Sequence, residues 1–379
     1  PAQSSSGVGQ FYSTAPNGLR SYSFYQANNY RKFGSNWVES SRRRTIDRMR
    51  SWGFNTIGSW SDTQLAREGE VPYTVQIDLS GSYKTLTVDP GRKALADPYD
   101  PAFRTAVRAK INAEQSWITG DPMCVGWFID NEPTLAGPAF SEEAGRYGIA
   151  YAAMAKSMSS PAKAKLINML RGQYSSISNL NSAWGTSFSS WSTIEAPITL
   201  AEPSNEARKV DFQKFCRWLV RQYFMILRDE LRQRDSSVLF LGCRFFKYTP
   251  EALDAAKSYF NVLSFNVYAQ SLLPTFDEMS WINKPFMVTE FHFGSMDAGL
   301  FHPGLAEVAN QAGRASAFTT YAQSVIDHPL FVGYHWFQYL DQPTTGREGD
   351  GENYNIGFVN VSDSPYAPLV NAARAVHRT

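Results

Sequence analysis

Val125-Gly-Trp-Phe-Ile-Asp-Asn-Glu-Pro133 is an apolar run that stops in Asp, Asn and Glu immediately before a proline. Hydrophobic residues on consecutive positions mark a strand buried on both faces, as in a parallel sheet. A second stretch, Pro285-Phe-Met-Val-Thr-Glu-Phe-His-Phe-Gly294, closes in the same way on Glu290, about 160 residues later. Comparable runs occupy 19–25, 55–60, 71–77, 238–244, 262–268 and 332–338, so that with 125–131 and 285–290 there are eight. Helical patterns separate them at 38–52, 101–117, 141–158, 205–234, 249–258, 305–327 and 365–377. Alternating strands and helices predict an α/β protein, and eight strands close a (β/α)8 TIM barrel. A doubly wound sheet would want a Gly-rich phosphate turn after an early strand, and the sequence has none.

The interval from Pro133 to Asn205 is too long for one crossover and is expected to be an extended insertion after strand four, at about 134–204. The expected organisation is an amino-terminal extension at 1–18 and a single catalytic domain at 19–379. The chain opens on Pro1-Ala-Gln-Ser without an initiator Met, which fits a signal peptide or an upstream domain lying outside this numbering, and the expected location is secreted or periplasmic.

With 36 Lys plus Arg against 35 Asp plus Glu, the net charge of +1 gives no field to attract nucleic acid, an anionic membrane surface or a polyanion. No stretch of 18 apolar residues is present to span a bilayer. Cys124, Cys216 and Cys243 have neither CxxC spacing nor an even count, which argues against a disulfide framework or a zinc site. Aromatic residues form 14% of the chain, a large supply of flat apolar faces. The expected partner is a neutral polysaccharide or oligosaccharide. The sequence leaves oligomeric state open.

In a barrel, chemistry sits at the carboxyl ends of the strands. Glycoside hydrolysis needs one carboxylic acid to protonate the leaving oxygen and one carboxylate across the sugar ring, about 5–5.5 Å apart when configuration is retained. Glu132 and Glu290 are the candidates. His292 shares a face with Glu290 in extended chain, and His335 stands on the next strand. No HxH or HExxH pattern accompanies them, so no metal or other cofactor is expected, and His292 is read as a neutral donor to a sugar hydroxyl.

The motifs Ser51-Trp-Gly-Phe-Asn-Thr-Ile-Gly-Ser-Trp-Ser-Asp62, Asp97-Pro-Tyr-Asp-Pro-Ala-Phe103, Gly126 to Glu132, Thr289 to Gly294 and Asp341 to Asn353 together resemble the family 50 glycoside hydrolases, known chiefly as β-agarases. The resemblance covers most of the chain. Leu180-Asn-Ser-Ala-Trp-Gly-Thr186 is similar in style to the family 42 β-galactosidases of the same clan. The resemblance implies a retaining enzyme with Glu132 as general acid/base and Glu290 as nucleophile. Asn131 would donate to the sugar 2-hydroxyl, Tyr268 would hold the nucleophile, and Trp336 would be a platform under the sugar. Trp60, Trp184, Asn266, His302, Gln338 and Asp341 are further candidate substrate contacts, and Arg347 and Asn353 would ride on a Gly-rich lid after strand eight. The implied activity is cleavage, in exo mode, of β-galactosidic linkages in agarose or neoagaro-oligosaccharides. The alternatives are a β-galactosidase of small substrates, a hydrolase of sulfated algal galactan, and a barrel that binds sugar without cutting it. The sequence departs from the agarase pattern in two places: only about 18 residues precede the first strand, where a β-sandwich is usual, and Pro133-Thr-Leu-Ala-Gly137 lacks the Trp that often follows the acid.

Overall fold

A computed structural model describes residues 7–14, 20–139, 142–202, 205–347 and 349–378. Leu19 of the first expected strand, Ser141 of an expected helix, Glu348 of the expected lid and most of the expected 1–18 extension lie outside the described residues. The chain forms two compact units, one of Pro1–Tyr73, Asn266–Ser280 and Phe286–Thr379, the other of Thr74–Phe265 and Trp281–Pro285.

The first unit corrects the expected first strand. Arg20–Tyr22 pairs antiparallel with Tyr12–Thr14, not parallel with a barrel neighbour. The tyrosines opposite one another explain the pairing: the Tyr12 and Tyr22 rings meet at 4.6 Å, a cross-strand aromatic contact. Ser23 then caps helix Phe24–Phe33 by accepting from the Gln26 N–H. Helix Trp37–Trp52 follows and ends on Gly53. The expected strand at 55–60 is reduced to a parallel bridge from Ile57 to Tyr73. Strands Phe286–Glu290 and Phe331–Tyr334 run parallel, with Tyr334 opposite Val288. Helices Gln311–Ile326 and Ala367–Val376 complete this unit, and Tyr321 of the first stacks on Phe291 at 4.2 Å, which also meets Trp336 edge-on.

In the second unit the sheet order is Tyr73–Ile77, Cys124–Ile129, Phe240–Gly242, with the last two parallel. A further parallel bridge joins Phe245 to Phe265. Trp127, Phe128 and Ile129 are all fully buried, as consecutive hydrophobicity requires of an internal parallel strand. Gly126 lets the neighbouring strand approach, since a Cβ there would lie 2.7 Å from the Leu239 carbonyl oxygen. Asn205 caps the 29-residue helix Glu206–Arg234 through Arg208 N–H, and Phe212, Phe215, Leu219, Tyr223 and Leu227 form its buried stripe. Between Cys124–Ile129 and this helix lie Pro161–Tyr174, Ile177–Trp184 and three shorter helices. All three cysteines are free.

Candidate active site

Glu290 is the last residue of its strand and is 7% exposed. Burying a carboxylate demands donors. The Tyr268 hydroxyl donates to Oε2 at 2.5 Å, and the Trp60 indole Nε1 lies 3.4 Å from Oε1. Tyr268 is held in place from two sides. The neighbouring Val267 N–H donates to the Glu290 carbonyl at 2.8 Å, while the Tyr321 hydroxyl donates to the Val267 carbonyl at 2.9 Å. Trp60 has a left-handed backbone (φ 65°) and keeps about half of its surface exposed. The result is a carboxylate fixed on both oxygens with a flat apolar indole face next to it.

Glu132 follows strand Cys124–Ile129 with φ 49° and donates its N–H to the Cys243 carbonyl at 3.1 Å. Its Oε2 lies 2.7 Å from Arg92 Nη2, with both side chains partly exposed. Arg92 also covers the ring of Phe246 at 5.1 Å. Neither Arg92 nor Phe246 stands out in the sequence. The available signal was Asp89-Pro-Gly-Arg-Lys93, a Pro-Gly turn carrying two cations. Asn131, beside Glu132, has its N–H fixed to Asp130 Oδ1 at 3.0 Å.

Three sequence expectations are corrected. His292 is no donor to sugar: its Nδ1 bonds the Phe337 carbonyl at 3.0 Å and its Nε2 accepts from the Leu305 N–H at 2.8 Å. A carbonyl only accepts and an N–H only donates, so the ring is neutral with the proton on Nδ1. Burial pushes its pKa down to about 3. The ring instead backs Tyr268, 4.7 Å away. Gly304, at φ 85°, is required beside it, because a Cβ would come within 2.5 Å of Nε2. Asp341 is buried with both oxygens taken, Oδ1 by Asn355 Nδ2 and Gly357 N–H and Oδ2 by the Tyr366 hydroxyl, so it ties the following loop to the carboxyl-terminal segment. Trp184 is 4% exposed and its Nε1 donates to Asp211 Oδ2 at 2.7 Å, leaving no face for a sugar.

The other candidates differ in exposure. Asn266 is buried and accepts from Thr289 Oγ1 at 2.8 Å. Trp336 fixes its indole N–H to the Ile356 and Gln338 carbonyls and is half-buried, and the Gln338 amide donates to the Leu340 carbonyl. His302 is exposed and leans on Tyr354, 4.7 Å between ring centres. Arg347 pairs with Asp350 at 2.5 Å and with Glu352 at 2.9 Å. Asp350 foremost, then Glu352 and Glu290, hold its guanidinium above the usual range. Asn353 is half-buried in the same loop. Among the described residues no group of three His, Cys, Asp or Glu could hold a metal ion, and no helix is long and apolar enough to cross a membrane.

Each unit thus carries one carboxylate at the end of an apolar run, Glu290 clasped by a phenol and an indole and Glu132 by a guanidinium. The family model described as beta-galactosidase, glycoside hydrolase family 42, matches residues 72–297, a span that includes both glutamates, and the chain belongs to that family. It is 38% identical over 363 residues to beta-agarase B of Vibrio sp. (strain JT0107), covering 93% of this chain and 38% of that protein. A solved exo-beta-agarase shares 34% identity and a TM-score of 0.94, covering 100% of this chain and 53% of that one. A solved family 50 enzyme, also 34% identical, gives a TM-score of 0.91 and covers 100% and 55%. The resemblance to family 50 agarases read from the motifs thus holds, and the chain spans between about two-fifths and about half of the lengths of these relatives.

Proposed function

We propose that the protein hydrolyses β-galactosidic linkages of a neutral galactan, agarose first, in exo mode and with retention of configuration. The observation that carries this is Glu290, a buried strand-end carboxylate held on both oxygens by Tyr268 and Trp60. It attacks the anomeric carbon while Glu132 protonates the departing glycosidic oxygen; the C–O bond breaks and a glycosyl-enzyme ester forms. Glu132, now a carboxylate, takes a proton from water, which displaces Glu290 and releases the sugar. In this reading 19–379 is a single catalytic domain, with 1–18 as an extension and 134–204 as an insertion after strand Cys124–Ile129. Asn131, Trp60, Asn266, Trp336, Gln338, His302, Arg347 and Asn353 are its substrate contacts. A polymer substrate suits a secreted or periplasmic enzyme.

The test is incubation with agarose and neoagaro-oligosaccharides, following product size by chromatography and anomer by NMR. A single disaccharide appearing first as its β-anomer is expected. Glu290→Ala and Glu132→Gln should each lower turnover by about 10²–10⁴-fold or more, with the thermal midpoint nearly unchanged. Full activity in either variant would overturn the roles. A second reading is favoured by the family 42 match: rapid cleavage of a nitrophenyl β-galactoside, with the polymer untouched, would replace agarose by small galactosides.

A further inference from the structure

Asp130 lies two residues before Glu132, 5% exposed, in a left-handed conformation (φ 68°). All of its polar atoms are engaged. Oδ1 accepts from the Asn131 N–H at 3.0 Å and from Lys93 Nζ at 3.2 Å, and Oδ2 accepts the hydroxyl of Tyr223. The Asp130 N–H donates to the Ile77 carbonyl at 2.7 Å, and its own carbonyl accepts from Gln76 Nε2 at 3.3 Å. Tyr223 comes from the interior of the long helix Glu206–Arg234 and is stacked on Phe103, so it is a rigid anchor. Lys93 is the exposed half of the arrangement, with a side chain 57% exposed, yet it is tied three times. Its ammonium reaches Asp130 and the Leu79 carbonyl at 2.7 Å, and its own carbonyl accepts from Thr134 Oγ1 at 2.6 Å. Asp130 and Thr134 bracket Glu132 in the chain. The residue before Lys93 is Arg92, which rests on Glu132 Oε2.

We infer that Asp130 is a positioning residue: its buried carboxylate, anchored by Tyr223, clips the 89–93 turn through Lys93 to the strand end and so sets both the path of Asn131-Glu132 and the approach of Arg92 to the Glu132 carboxyl. The inference rests on the proposed acid/base role of Glu132. Asp130 touches no reacting atom. Its effect passes through the placement of a group for which a shift of about 1 Å costs on the order of 10²-fold in rate.

A misplaced general acid hurts most when the leaving group needs protonation, and this separates positioning from mere scaffolding. Asp130→Asn and Lys93→Met are compared with wild type on two substrates sharing one glycone: a neoagaro-oligosaccharide, whose leaving group is a sugar hydroxyl, and the corresponding nitrophenyl glycoside, whose leaving group is already acidic. Both variants should lose about 10–100-fold in kcat on the oligosaccharide and less than about threefold in glycosylation rate on the aryl substrate, with KM little changed. Equal losses on the two substrates, or no loss on either, would overturn the inference. If Asp130→Asn fails to fold, Lys93→Met decides alone, since its half-exposed side chain leaves no void in the core. Glu132→Gln is run beside them. If it too lacks leaving-group dependence, the acid/base reading falls; if it shows that dependence and the Asp130 and Lys93 variants do not, only the present inference falls.

Discussion

His292 shows how one residue can change meaning between sequence and structure. Its position two residues after Glu290 was legible and so was its neutrality, but the partners of its ring are Leu305 and Phe337, brought there by loops far along the chain. No local pattern announces such partners. Arg92 escaped notice for the same reason, whereas Glu290 and Tyr268 were legible because a strand end dictates where their side chains stand. The neutral, buried His292 has a measurable cost in acid. Its folded pKa of about 3 lies below the ordinary 6.5, so the unfolded chain binds the extra proton between those values. Stability contributed by this group is therefore full above about pH 6.5 and declines as pH falls toward 3. His377, also pushed down by burial, adds to the same slope. Chemical denaturation between pH 7.5 and about pH 5, above the range where most carboxylates titrate, should show falling stability, and His292→Gln should make the fall shallower. An unchanged slope in that variant would contradict the assignment of the ring.

At the scale of elements, apolar runs and long amphipathic helices were readable because each satisfies its own periodicity. Helix Glu206–Arg234 and strand Cys124–Ile129 follow their expected spans closely. What periodicity could not disclose was strand pairing: the run at 19–25 has the composition of a barrel strand, yet Arg20–Tyr22 forms a ribbon with Tyr12–Thr14 and a helix begins at Phe24. Nor could it disclose that Trp184 is a fastener. Gln173 Nε2, the Tyr174 hydroxyl and Trp184 Nε1 all donate to Asp211 on the long helix, pinning Pro161–Tyr174 and Ile177–Trp184 against it. Trp184→Phe removes one of three donors from a buried carboxylate and should cost about 1–3 kcal/mol in stability. Turnover at ordinary temperature should stay within about twofold of wild type, checked by denaturant melts and by kinetics on the same preparation. A large loss of kcat/KM with stability intact would restore Trp184 to the substrate.

For the whole molecule, the near balance of charge fits the proposed neutral substrate. With a net charge of +1 there is little long-range field for salt to screen, so kcat/KM on neutral oligosaccharide should change by less than about twofold between 0.05 and 0.5 M NaCl. A steep decline would point to an anionic galactan. Left-handed backbone is concentrated at particular positions. Of the seven non-glycine residues with positive φ among the described residues, Trp60, Asp130, Glu132 and Arg244 all lie at the ends of apolar runs read as barrel strands. Left-handed backbone costs roughly 1–2 kcal/mol at a residue with a Cβ, a burden that folds keep mainly where it serves a site. These positions set a limit on laboratory evolution. A selection for heat resistance alone would favour relaxing them, most simply by glycine at Trp60, and on the proposed reading would trade turnover for sturdiness. Selection has to be coupled to turnover at every round, and improvements sought instead among the surface loops and helix caps.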